Sequence, residues 1–159
     1  MADQNMSAEA SCKLDELFAM QARLNNHVFK TKSITDHSGN ILNMRTIMDD
    51  ARSDKLTARS LSIEWACKYL THLQAEAVET AEELPVKFWS DRSVNIDALQ
   101  EEVIDQLHFW ISLAMATGMN SMQVFEKYME KNAVNIERMD TGYVERIKHG
   151  HTTIGTDNV

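Results

Sequence analysis

One proline and five glycines punctuate the 159 residues of this chain. A sandwich or barrel of many strands needs a turn about every 8–12 residues, and so few turn formers cannot supply them. Long unbroken elements remain, and the spacing of apolar residues identifies them as helices. From Ser11 to about Phe29, Leu14, Leu17, Phe18, Met20, Leu24 and Val28 recur at helical intervals. A long helix is predicted from Thr57 to Leu84, carrying Leu61, Trp65, Tyr69, Leu70, Leu73, Ala77 and Val78, and stopped by Pro85. Asp97, followed by Gln100, reads as a capping pair for a helix over Ala98–Gly118. Asn120 with Gln123 repeats the signal for a last helix over Ser121–Asp140. Lys30–Asn40 is a loop, and Ile41–Ala51 fits either a short helix or more loop. The expectation is an all-α helical bundle: a flexible N-terminus over 1–10, a single domain over 11–143 and a polar tail over 144–159.

Charge and composition narrow the function. The net charge of -8 argues against a broad nucleic-acid face, which needs a basic footprint. No apolar run is long enough to span a bilayer, and no charged-then-apolar start suggests a signal peptide. Cys12 and Cys67 form neither a framework nor a C-x-x-C pair, which fits a reducing compartment such as the cytoplasm.

The Ala98–Gly118 helix concentrates the chemistry. Its apolar residues surround almost the whole circumference, the pattern of a buried helix. Yet Glu102 and Asp105 lie within it, three apart and so about 60° apart on one face. Unpaired buried carboxylates cost roughly several kcal/mol each. The preceding long helix carries a matching pair, Glu76 and Glu79. Antiparallel packing would bring four carboxylates together and raise one another's pKa values. Divalent cations resolve that repulsion, and oxygen-only ligands favour Mg²⁺, with Mn²⁺ as the alternative, over Zn²⁺. Asp105 and His108 also form a D-x-x-H pair, but a ferritin-like di-iron site needs such a motif on two helices.

The last helix segregates its charge. With Lys131 at the origin of a 100° wheel, Lys127, Asn135 and Arg138 fall within about 40° of it. Glu126, Glu130 and Glu137 gather on a second face, and Phe125, Met129 and Ile136 on a third, expected to meet the core. A Lys/Arg/Asn stripe suits phosphate oxygens. Gln21 and Asn25, four apart on the first helix, can read the hydrogen-bonding edge of a base.

Together these pieces resemble the all-α NTP pyrophosphatase superfamily, and within it the dimeric dUTPases and the tailed-phage dCTPase/dUTPase group. The matching stretches are M-Q-A-R-L-N (Met20–Asn25), E-A-V-E (Glu76–Glu79), P-V-K-F-W (Pro85–Trp89), E-V-I-D-Q-L-H-F (Glu102–Phe109), G-M-N (Gly118–Asn120) and K-N-A-V-N-I-E-R-M-D-T-G-Y (Lys131–Tyr143). The resemblance implies that Glu76, Glu79, Glu102 and Asp105 hold Mg²⁺, with Glu76 or Glu79 as the catalytic base. It implies that Lys131, Asn135, Arg138 and Tyr143, helped by Lys87, grip the phosphates. Gln21 and Asn25 would read a pyrimidine, and Phe109 would stack on it. The implied reaction is hydrolysis of a deoxypyrimidine nucleoside triphosphate, dUTP to dUMP and pyrophosphate, with dCTP, both, or the substrate of a related house-cleaning NTP pyrophosphatase as the alternative. A homodimer is implied too. The family's W-K-x-W-K element is reduced here to V-K-F-W, and a glutamate often found before the first carboxylate pair is Ala75. A non-catalytic helical scaffold is the reading from another class. A Mg²⁺-dependent thermal shift discriminates the two.

Overall fold

The computed structural model describes residues 3–54, 59–85 and 93–141. They form α1 (Asp3–Thr31), α2 (Met44–Ala51), α3 (Ser60–Glu83), α4 (Ile96–Ala116) and α5 (Ser121–Thr141). An isolated antiparallel bridge, Thr35 to Ile41, ties the loop between α1 and α2. The all-α expectation holds. The chain divides into two compact units, Met1–Phe125 and Glu126–Val159, with the break inside α5. α1 begins at Asp3 rather than near Ser11, because the polar stretch before Ser11 contains no helix breaker and several good helix formers.

Side-chain caps start three of the other four helices. Asn43 starts α2, its side-chain oxygen accepting from the Thr46 amide at 2.9 Å, which resolves the ambiguity over Ile41–Ala51 as a short helix. Asn95, not Asp97, caps α4. Its Oδ1 accepts from the Asp97 and Ala98 amides, and Asp97 sits in the first turn, where its charge suits the helix dipole. At α5 the expected reciprocal pair forms. The Asn120 amide donates to Gln123 Oε1 at 3.0 Å, and the Gln123 amide to Asn120 Oδ1 at 2.8 Å.

The core occupies one end of the first unit. Phe18 and Phe29 of α1, Met44 and Ile47 of α2, Leu61, Trp65 and Tyr69 of α3, and Ile111, Ala114 and Met115 of α4 are all buried. Phe29 meets Trp65 edge to face, with ring centroids 4.8 Å apart. Beyond Tyr69 the core stops, although α3 and α4 remain paired. α4 is therefore not buried all round as its composition suggests. Val103, Ile104, Leu107 and Trp110 are exposed, because α1, α2 and α3 do not cover its whole circumference. In the second unit Met129 and Ile136 are also exposed rather than in a core.

Candidate active site

The carboxylates lie where the core gives out. Along α3 and α4 the partners run in opposite directions. The His72 ring stacks on Phe109, with centroids 5.1 Å apart and planes at 18°, and one turn further along α3 Glu76 meets Glu102 and Asp105. One carboxylate oxygen from each of these three acids lies within 4.8 Å of the others. Gln106 Nε2 donates to Thr80 Oγ1 at 2.5 Å, and Thr80 Oγ1 in turn donates to the Glu76 carbonyl at 2.9 Å. That hydrogen-bonded bridge pins the two helices beside the acids.

Partial loss of hydration raises the Glu76 pKa, and the charges of Glu79 and Asp105 raise it further. Glu102 is raised by the same loss of hydration, then by Glu79, Asp105, Glu76 and Glu83. Glu79 is exposed and outside the three-acid group, but its field reaches both. The premise of deep burial needs correction. Glu76 and Glu102 are half-buried and Asp105 is exposed, so mutual repulsion rather than burial alone is what a cation would relieve. Three hard oxygen donors at this separation, two of them glutamates with raised proton affinity, fit a divalent cation.

A cavity of about 680 Å³ opens beside the cluster. Gln21, Asn25 and Phe29 of α1, Trp65, Lys68, Tyr69 and His72 of α3, and Asp105, His108 and Phe109 of α4 line it. The two amides therefore share one cavity with the aromatic ring expected to stack on the base and with one acid of the cluster. Both amides are buried, at 5% and 8% exposure for Gln21 and Asn25, which takes them out of the class of ordinary surface amides. They bond each other and Ser112 of α4. His108 Nδ1 lies 2.6 Å from Gln21 Oε1. Burial pushes the Tyr69 phenol well above its ordinary pKa, and its hydroxyl points to Met44 Sδ.

Trp65, Tyr69, His72 and Ser112 are not among the site residues expected from sequence, and His108 enters there only through the D-x-x-H pair. A signal existed: Trp65, Tyr69 and His72 stand at i, i+4 and i+7 on α3, and His108 and Ser112 at i and i+4 on α4. Such stripes read equally well as core until the neighbouring helix is placed. Lys131, Asn135 and Arg138 are exposed on the part of α5 in the second unit. Lys87 and Tyr143 lie outside the described residues.

Residues 13–124 match the family model described as dUTPase. The chain belongs to the dUTPase family. This bears out the resemblance to the all-α NTP pyrophosphatases, since the match runs through both carboxylate pairs, both amides and Phe109. Two phage proteins named dCTP pyrophosphatase are similar as well. One, from Enterobacteria phage LZ5, is 45% identical over 42 residues, covering 26% of this chain and 24% of its own length. The other, from Enterobacteria phage T4, is 29% identical over 82 residues, 50% of this chain and 40% of its own length. The chain thus spans less than half the length of these curated relatives. No solved structure matches it significantly. No described helix of this dUTPase-family chain is long and apolar enough to cross a membrane.

Proposed function

We propose that the protein is a Mg²⁺-dependent pyrophosphohydrolase of deoxypyrimidine nucleoside triphosphates, converting dUTP to dUMP and pyrophosphate in the cytoplasm. The supporting observation is the cavity that holds Gln21, Asn25 and Phe109 together with Asp105 of the acidic cluster. A base held by the amides would hang its phosphates toward the acids. Glu76, Glu79, Glu102 and Asp105 are the residues to hold the cation, which when bound supplies positive charge against the triphosphate oxygens. Glu76 or Glu79 takes a proton from the attacking water. The water oxygen bonds to the β-phosphorus in line, the bond to the bridging oxygen on the α-phosphorus breaks, and the monophosphate leaves. Lys131 and Arg138 as cations, Asn135 as an amide donor, and Lys87 and Tyr143 are assigned to the phosphate oxygens on side-chain chemistry and family pattern.

The name carried by both phage relatives favours dCTP as a second substrate. An amide offers one donor and one acceptor to either pyrimidine, so side-chain type alone admits both bases. Incubation of the purified protein with each dNTP and Mg²⁺ is expected to release pyrophosphate from dUTP, dCTP or both. No release from any nucleotide would end the enzymatic reading. Glu79→Gln is expected to abolish turnover and leave the helical circular dichroism spectrum unchanged. Undiminished activity in that variant removes Glu79 from the site.

A further inference from the structure

We propose that Ser112, fully buried and absent from the cavity wall, sets the direction of the Gln21 and Asn25 amides and thereby the choice between pyrimidines. The inference rests on the base-binding reading of the cavity. It follows from donor and acceptor inventory. Ser112 Oγ lies 2.9 Å from the His108 carbonyl. A carbonyl only accepts, so the single hydroxyl hydrogen of Ser112 is committed there. Toward every other neighbour Ser112 Oγ can only accept. Gln21 Nε2 and Asn25 Nδ2 each lie 3.0 Å from it and fill its two lone pairs. Turning either amide over would set its oxygen against an oxygen with no hydrogen left. The two orientations have nearly the same shape, so packing cannot choose between them and hydrogen bonding must.

The direction propagates outward. The second hydrogen of Gln21 Nε2 goes to Asn25 Oδ1 at 3.1 Å, which leaves Gln21 no free donor. Gln21 Oε1 then faces His108 Nδ1 at 2.6 Å, and that nitrogen must carry a proton. No buried side-chain nitrogen or oxygen among the described residues lacks a partner, so the network has no slack to reverse one member alone. What it leaves to a ligand is directional: one lone pair on Gln21 Oε1, one on Asn25 Oδ1, and one N–H of Asn25. Uracil and cytosine reverse donor and acceptor at positions 3 and 4. For a base held in one pose by a stacking ring, amides of fixed direction match one base better than the other. Amides free to turn over match either.

Two measurements test this. In the ¹⁵N-labelled wild-type protein, the neutral form of the His108 ring is expected to carry its proton on Nδ1. A proton on Nε2 overturns the network's direction. Ser112→Ala is expected to lower kcat/KM for the preferred pyrimidine about tenfold, chiefly through KM. The other pyrimidine should lose less, so that the dUTP-to-dCTP ratio moves toward one, and Ser112→Thr, which keeps the hydroxyl, should hold the wild-type ratio. An equal loss on both substrates marks Ser112 as structural only and overturns the specificity role. The tautomer is read without turnover, so a failed network and a failed hydrolase reading give different results.

Discussion

Glu76 holds its proton more tightly than a free glutamate because it has lost part of its hydration and faces Glu79 and Asp105. A folded-state pKa raised above the unfolded one means that the ionised form costs stability above that raised pKa, a cost that declines as pH falls through it and is gone below the unfolded value. Glu76→Gln is therefore expected to raise the melting temperature of the metal-free protein at neutral pH. The advantage over wild type should shrink as the pH drops through the carboxylate range, where wild-type Glu76 becomes neutral. The same variant should lose the Mg²⁺-induced stabilisation of the wild type. Calorimetric scans across pH, with and without Mg²⁺, check both signs; a variant less stable than wild type at neutral pH would contradict the repulsion. Asp36 runs the other way. Amide donation from Asn40, with a smaller contribution from Ser38, holds its carboxyl below the usual range, so its contribution is present at neutral pH and is lost as pH falls through its lowered pKa. Only the comparison of wild type with variant isolates Glu76. At this scale the i, i+3 carboxylates were legible because helical spacing fixes which side chains share a face. Their exposure was not, because it depends on where the core ends.

Helix boundaries were legible where one side chain alone could cap. Asn120 and Gln123 form the pair their spacing implies. Before α4 the Asp97 reading missed by two residues, because Asn95 holds the cap and Asp97 lies in the first turn. The junction between α4 and α5 turns on Gly118, with φ of 85°, the left-handed conformation that favours glycine after a helix. Its carbonyl accepts from Arg52 Nε at 2.9 Å. A Cβ at this position would meet Ala51 Cβ at 3.2 Å and Arg52 Cγ at 3.3 Å. Gly118→Ala carries both the conformational cost and the crowding against the end of α2. It is expected to lose about 1–2 kcal/mol from the backbone strain alone. Urea denaturation should show a lower midpoint with an unchanged slope. An unshifted midpoint would mean that the turn relaxes without strain.

The first unit leaves much apolar surface uncovered. Leu70 and Val78 of α3, Val103, Ile104, Leu107 and Trp110 of α4, and Leu17, Met20 and Leu24 of α1 are each more than a third exposed. They are not scattered. Leu70, Leu73, Ala77, Val103, Ile104, Leu107 and Trp110 line one groove between α3 and α4, and Leu17, Met20, Leu24, Ile104 and Leu107 line another between α1 and α4. Ile104 and Leu107 belong to both, which makes the apolar surface continuous. A continuous patch of this kind on a chain of net charge -8 invites a partner more than it tolerates water. The sequence showed a helix apolar all round but not what would cover it, and the described residues of the first unit do not. Joined to the family resemblance, the patch supports a second copy of this chain, since a two-fold interface lets the same patch serve on both sides. Sedimentation equilibrium is therefore expected to give twice the chain mass of 18.1 kDa. Leu70→Lys places a charge in the groove without touching the acids, the amides or the buried core. It should shift the mass toward that of one chain while helicity persists. A wild-type protein that stays monomeric at high concentration, or a variant that still sediments as a dimer, would place the contact elsewhere.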